Sequence, residues 1–249
     1  MTGDQASLRT SYEVDGAALP AWPEGQRVDP LAAPLTGITT FSDHARYHHA
    51  LVDAVLAAER DARFRDEIFR GGCGTKVRNI AQWGHPAADL VHARAIMLAH
   101  RTLSRRAVFV DDCWASVYRA GDYCMPHSHL RANVSLVYML DVGDPSDDAL
   151  AGRLCFADPR IPACCVHEPG RVTNIIMPEM TPGTLVIFAA DYLHHVNPYA
   201  GTRPRITLSW NITIEKLQGR AGAGWSEQRR QQDQEPQGRG VGSFAVKLS

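Results

Sequence analysis

The chain has 249 residues, 45% of them hydrophobic and 21% charged, enough for one domain, or two small ones, with a sizeable core. Lys and Arg (26) nearly balance Asp and Glu (27), for a formal charge of −1, so no basic field draws in a nucleic-acid backbone. The longest unbroken apolar run, Leu185 to Ala190, is six residues, against the roughly 20 that a membrane-crossing helix needs.

The opening segment, MTGDQASLRT, has no apolar core of the kind a secretory signal carries. Six cysteines (Cys73, Cys113, Cys124, Cys155, Cys164 and Cys165) include no CxxC pair, which argues against a zinc knuckle or a redox dithiol. Reduced thiols in a cytoplasmic protein are the expectation.

Residues 1–34 read as an arm punctuated by Gly3, Gly16, Pro20, Pro23, Pro30 and Pro34. A first helix is expected over about 42–63, with Ser42 as N-cap, Asp43 in its first turn, and Leu51, Val52, Val55 and Leu56 on an apolar stripe. A Gly-rich break at Gly71–Gly74 precedes a second helix over about 86–102, opened by Pro86. From Ala107 the texture changes to short β-branched and aromatic runs separated by turn residues, among them NVSLVYML, GTLVIFAA and RITLSWNIT. Such runs suggest an antiparallel barrel or sandwich, so the fold class is α+β with the β core over about 107–217. Residues 35–217 read as a single domain. The Gln/Arg/Gly-rich residues 218–249 read as a tail, since Glu227 to Gly240 contain no hydrophobic residue.

Chemistry concentrates in two places. In Cys124-Met-Pro-His127-Ser-His129 the two histidines are two residues apart. On a strand they project from one face and can approach one point, and neutral imidazole suits iron, zinc, copper or nickel. Downstream, Tyr192-Leu-His194-His195-Val-Asn-Pro198 precedes the alternating strand Arg205-Ile-Thr207-Leu-Ser209-Trp-Asn211. Its even positions are apolar and its odd positions polar, so one face is buried while the other presents Arg205, Thr207, Ser209 and Asn211. An arginine with hydroxyls at i+2 and i+4 is well built to hold a carboxylate.

These pieces, together with Ser135-Leu-Val-Tyr138-Met-Leu140, Gly152-Arg-Leu-Cys-Phe156-Ala-Asp158-Pro159-Arg160, Pro182-Gly183 through Phe188, and Gly201, occur in an order and spacing that resembles the 2-oxoglutarate/Fe(II) oxygenases of the double-stranded β-helix superfamily. The resemblance covers about residues 115–213. It implies a double-stranded β-helix (jelly-roll or cupin-like) core with the N-terminal helices packed on one sheet. It also implies Fe(II) bound by His127 and His195, with 2-oxoglutarate as cosubstrate alongside O2. Arg205 and Thr207 would meet the distal carboxylate of 2-oxoglutarate, with Tyr138 and Asn211 as further contacts. His195 fits the distal ligand because Val196 and Pro198 follow it by one and three residues, which leaves His194 structural.

The sequence departs from the resemblance at one place. The superfamily's common site uses two histidines and one carboxylate, whereas His129 stands at the carboxylate position. His129 itself is the favoured third ligand. Asp122 or Asp191 supplying it, or a site that binds metal poorly, are the other readings. A halogenase is disfavoured because those relatives keep this position small.

The expected reaction is oxidation, by default hydroxylation, of an unactivated C–H in a small molecule such as an amino acid or a secondary-metabolite intermediate. No nucleic acid or membrane partner is expected, and a homodimer is a candidate assembly. Lys76, Arg78, Trp83 and Arg131 fall where they could roof the mouth, although a solvated charge or a core aromatic is the simpler account of each. Cys124 reads as a buried small residue, and Asp158-Pro159-Arg160 as a turn. The competing class is a cupin-type metal-binding module or an inactive β-helix scaffold. Gly121 and the HxH pair match the first half of a cupin signature, but Asn133 and Val134 stand where its Glu belongs.

Overall fold

The computed structural model describes residues 9–30, 37–66, 74–104, 108–129, 131–157 and 175–214. The tail, the turn at Asp158–Arg160 and the first eight residues of the arm lie outside them. In chain order the strands are β1 (Ser11–Val14), β2 (Ala17–Pro20), β3 (Asp29–Pro30) and β4 (Gly37–Thr40); after helix α1 (His48–Arg60) come β5 (Arg65–Asp66) and β6 (Thr75–Arg78). Helix α2 (Pro86–Leu103) leads into β7 (Phe109–Tyr118), β8 (Cys124–His127), β9 (Val134–Asp141) and β10 (Leu154–Ala157). The chain continues through β11 (Ile175–Ile176), β12 (Thr184–Ala189), β13 (His194–Val196) and β14 (Arg205–Thr213).

Two antiparallel sheets form the double-stranded β-helix. The larger runs β3-β4-β12-β9-β14-β7-β6-β5 and the smaller β11-β10-β13-β8. Because side chains alternate along a strand, β9 and β12 of the large sheet feed two cores. Leu136, Tyr138 and Leu140 of β9 and Ile206, Leu208, Trp210 and Ile212 of β14 face the helices, packing with Leu51 and Val55 of α1 and Leu90, Val91 and Leu98 of α2. Val186 and Phe188 of β12 and Met139 of β9 face the small sheet, where they meet Leu154, Phe156 and Tyr192. Leu90, Val91 and Leu98 are fully buried; each such burial contributes about 2 kcal/mol, so α2 is held chiefly by its apolar face.

Polar contacts fix how the helices dock. Pro86 opens α2, and the His85 side chain accepts from the Ala87 amide at its N-cap. Trp210 Nε1 donates to His92 Nδ1 at 2.9 Å, tying β14 to α2. Arg94, fully buried, donates to both Asp43 oxygens, to the Tyr47 hydroxyl and to the carbonyls of Pro20 and Ala21.

Three expectations change. The first helix begins at His48, not Ser42, because Asp43 is drawn into the Arg94 ion pair and 44–46 form only a 3-10 turn. The arm is not unattached: β1 and β2 form a hairpin whose Val14 and Leu19 join the helix-side core. The β core also reaches upstream of 107, since β4 pairs with β12 and β6 with β7. No helix among the described residues is long and apolar enough to cross a membrane.

Candidate active site between the two sheets

The small sheet brings His127 and His194 face to face. They are direct partners in the β8–β13 register, and their ring centroids are 4.3 Å apart. Just past the end of β8, the backbone N–H of His129 donates to the Ala190 carbonyl, which aims its ring at the same point. His129 Nε2 lies 3.3 Å from His194 Nε2. One ligand atom from each of His127, His129 and His194 lies within 4.8 Å of the others. It is the one such group of three or more metal-ligand side chains among the described residues.

The two strand histidines are held in the tautomer a metal requires. His127 Nδ1 is 2.8 Å from the Met125 carbonyl and His194 Nδ1 is 2.8 Å from the Tyr192 carbonyl. A carbonyl only accepts, so Nδ1 carries the proton in both rings and the Nε2 lone pairs point inward, the outer-shell arrangement common around metal-bound histidine. Burial, reinforced by the neighbouring imidazoles, holds the rings neutral. It lowers the pKa of His127, takes His129 down to about 4 and His194 to about 3. Three neutral imidazoles converging on one point form a donor set that fits Fe(II).

His195 is the correction. It sits opposite Cys155, one residue out of phase with His194, which faces His127 and Phe156. Successive strand residues point to opposite faces, so His195 is turned away from the group and is absent from it.

Neither proposed acid joins the group. Asp122 is occupied within its own turn, accepting from the Arg119 amide, and Asp191 is exposed.

The inner face of β14 behaves as its alternation predicts. Arg205, Thr207 and Ser209 are all buried. They lie opposite Tyr118, Ser116 and Trp114 of β7, and the Trp114 ring stacks on His129 with centroids 6.1 Å apart at 25°. Arg205 therefore shares a sheet face with the side chain that backs the histidines. Its guanidinium carbon is 5.1 Å from the Tyr118 ring centroid, burial lowers its pKa, and its Nη1 is buried with no hydrogen-bond partner among the described residues. Gly152 makes room for it: a Cβ there would come within 3.1 Å of Arg205 Cδ, at a φ of +66°. A buried cation with an unused donor fits a ligand carboxylate.

Two further expectations divide. Asn211 accepts from Ser135 Oγ at 2.8 Å, which occupies its carbonyl oxygen. Tyr138 faces the other way: its hydroxyl meets that of Tyr47, 3.0 Å apart, inside the helix-side core. Being two residues from both Leu136 and Leu140 puts it on their face, so it makes no contact with this site. Ser116 and Trp114 were not singled out because their significance comes only from β7 pairing with β14.

Residues 112–211 match the model of the family described as "Putative 2OG-Fe(II) oxygenase". Over that stretch the chain is similar to the 2-oxoglutarate/Fe(II) oxygenases. Among solved structures, the chain is similar to AviO1 from Streptomyces viridochromogenes Tue57, at 15% identity over 74% of this chain and 92% of that one, TM-score 0.51. It is also similar to the non-heme alpha ketoglutarate dependent carbocyclase SnoK from nogalamycin biosynthesis, at 12% identity over 78% and 85% of the two chains, TM-score 0.56. A third is EctD from S. alaskensis, solved with 2-oxoglutarate and 5-hydroxyectoine, at 17% identity over 76% and 72%, TM-score 0.51. At these identities the likeness is one of fold. A comparison with curated proteins gave no match.

Proposed function

We propose that the protein is an oxygenase that binds Fe(II) through His127, His129 and His194, anchors the distal carboxylate of 2-oxoglutarate on Arg205, and hydroxylates an unactivated C–H of a small molecule. The buried Arg205 guanidinium carries the reading. A cation with an unused donor, on the sheet face that also backs the histidines, calls for an anionic ligand at that place.

When bound, Fe(II) with 2-oxoglutarate and O2 supplies the oxidising chemistry, with 2-oxoglutarate leaving as succinate and CO2. The chain's residues set the conditions. The carbonyls of Met125 and Tyr192 keep the Nδ1 protons of His127 and His194 in place, so the metal-facing nitrogens stay available at neutral pH. His127, His129 and His194 would hold the metal, and Arg205 would hold the cosubstrate's distal carboxylate. Thr207 Oγ1, next to Arg205 on the inner face of β14, is a second donor for the same carboxylate. Phe156 and Phe188, with ring centroids 4.8 Å apart and 6.1 and 4.8 Å from that of His194, keep bulk water from the small-sheet side.

The test is anaerobic titration of the purified protein with Fe(II) and then 2-oxoglutarate. The weak visible charge-transfer band of the chelate should grow to one equivalent, and oxygen should then convert 2-oxoglutarate to succinate. Fe(II) bound at one equivalent with no response to 2-oxoglutarate would remove the assignment of Arg205.

A further inference from the structure

The three histidines are not held alike. His127 and His194 sit on paired strands, and each has its Nδ1 2.8 Å from a main-chain carbonyl, Met125 and Tyr192 respectively. His129 lies past the end of β8. Its backbone N–H donates to the Ala190 carbonyl at 2.7 Å, but its Nδ1 has no hydrogen-bond partner among the described residues. A backbone anchor alone leaves an imidazole able to turn about χ2, a torsion with broad preferences. Yet the ring is turned so that its Nε2 lies 3.3 Å from His194 Nε2, near enough to share one metal ion.

An aromatic face accompanies that orientation. Trp114, on the inner face of β7, stacks on the His129 ring at 25°, and the His129 ring in turn lies within 7° of parallel to that of His194, with centroids 5.1 Å apart. Trp114 is itself firmly placed. It is buried, and it lies opposite Ser209 of β14 and Arg78 of β6. Lys76 Nζ and the Arg78 guanidinium carbon lie 4.9 and 5.6 Å from its ring centroid, and Arg78 donates to Asp66 at 2.8 Å and to Asp112 at 2.7 Å. Trp114 thus carries the rigidity of the large sheet across to a histidine that follows the small one.

We propose that Trp114 is a positioning residue for the metal site: its ring face holds the His129 imidazole with Nε2 beside that of His194, the role that main-chain carbonyls play for the other two histidines. The inference rests on the metal-binding reading above. It also accounts for what a histidine needs at a place where the common site has a carboxylate. A carboxylate rotated by half a turn presents an equivalent oxygen. An imidazole rotated likewise presents Cε1 in place of Nε2 and ceases to be a ligand, so its orientation must be fixed from outside.

The experiment is a double-mutant cycle on metal affinity, read by calorimetry with Ni(II) as the probe. Nitrogen-donor sites hold Ni(II) more tightly than Fe(II), so weakened variants stay measurable. Trp114→Leu should weaken Ni(II) binding about 10- to 100-fold, while Trp114→Phe, which keeps an aromatic face, should stay within about threefold of wild type. In a His129→Ala background, Trp114→Leu should cost no more than about threefold further, because the ring it orients is gone. Trp114→Met gives the same readout should the leucine variant not fold. Normal affinity in the Leu or Met variant, a Phe variant as weak as they are, or a full loss that persists in the His129→Ala background overturns the proposal. Wild-type protein that takes up no metal would refute the oxygenase reading instead, so the two failures are distinguishable.

Discussion

Replacing Arg205 with methionine separates two effects that its burial combines. The guanidinium is 2% exposed, its Nη1 has no partner among the described residues and its pKa is lowered by desolvation. Exchanging such a group for an apolar one of similar length is neutral or stabilising, by up to about 4 kcal/mol. Toward 2-oxoglutarate the same change removes a charged hydrogen-bond donor set, worth about 1.5–3 kcal/mol, or about 10- to 150-fold in affinity at 1.4 kcal/mol per decade. The two effects have opposite signs. Thermal denaturation without ligands should therefore show Arg205→Met at least as stable as wild type, while anaerobic calorimetry with Fe(II) present shows 2-oxoglutarate binding weakened by that factor. A variant that is clearly destabilised when ligand-free, yet binds 2-oxoglutarate normally, would mean that Arg205 is a structural cation and that the unused donor misled.

The histidines give the sharpest pair. His194→Ala should lose Fe(II) affinity on the order of 100-fold or more, while His195→Ala retains one equivalent by metal analysis; the reverse pattern would restore His195 as ligand. Tyr138→Phe should leave 2-oxoglutarate affinity unchanged and cost about 1 kcal/mol in chemical denaturation, because it deletes the buried bond to Tyr47. His92, lowered to about 4 by burial against Trp210, binds its proton more readily in the unfolded chain, near 6.5. Its contribution to stability is thus complete above about pH 6.5 and is lost as the pH falls toward 4, at up to about 1.4 kcal/mol per pH unit. His92→Gln, which keeps an acceptor for Trp210 Nε1, should flatten the stability profile in that window; an unchanged slope would show that His92 does not titrate there.

Local pattern in the sequence determined a good deal. Pro86 opens α2, the alternation from Arg205 to Asn211 makes β14 two-faced, and the HxH pair supplies two convergent imidazoles, all because helix starts and strand alternation are properties of neighbouring residues. The same period of two assigns Tyr138 to the apolar face of Leu136 and Leu140, away from the site. Which of His194 and His195 turns inward rested on one residue of register against β8 and β10, and a slip of one reverses the answer. Short strands such as β4 and β6 carry too few residues to announce themselves; they exist because β12 and β7 offer unpaired edges. The partnerships of Lys76 with Trp114, Trp114 with His129, and Arg205 with the space beside Gly152 join residues as many as 53 positions apart. Spacing along a chain does not encode such distances. Sheet pairing does, and it was decided only when the long strands found their partners around a common core.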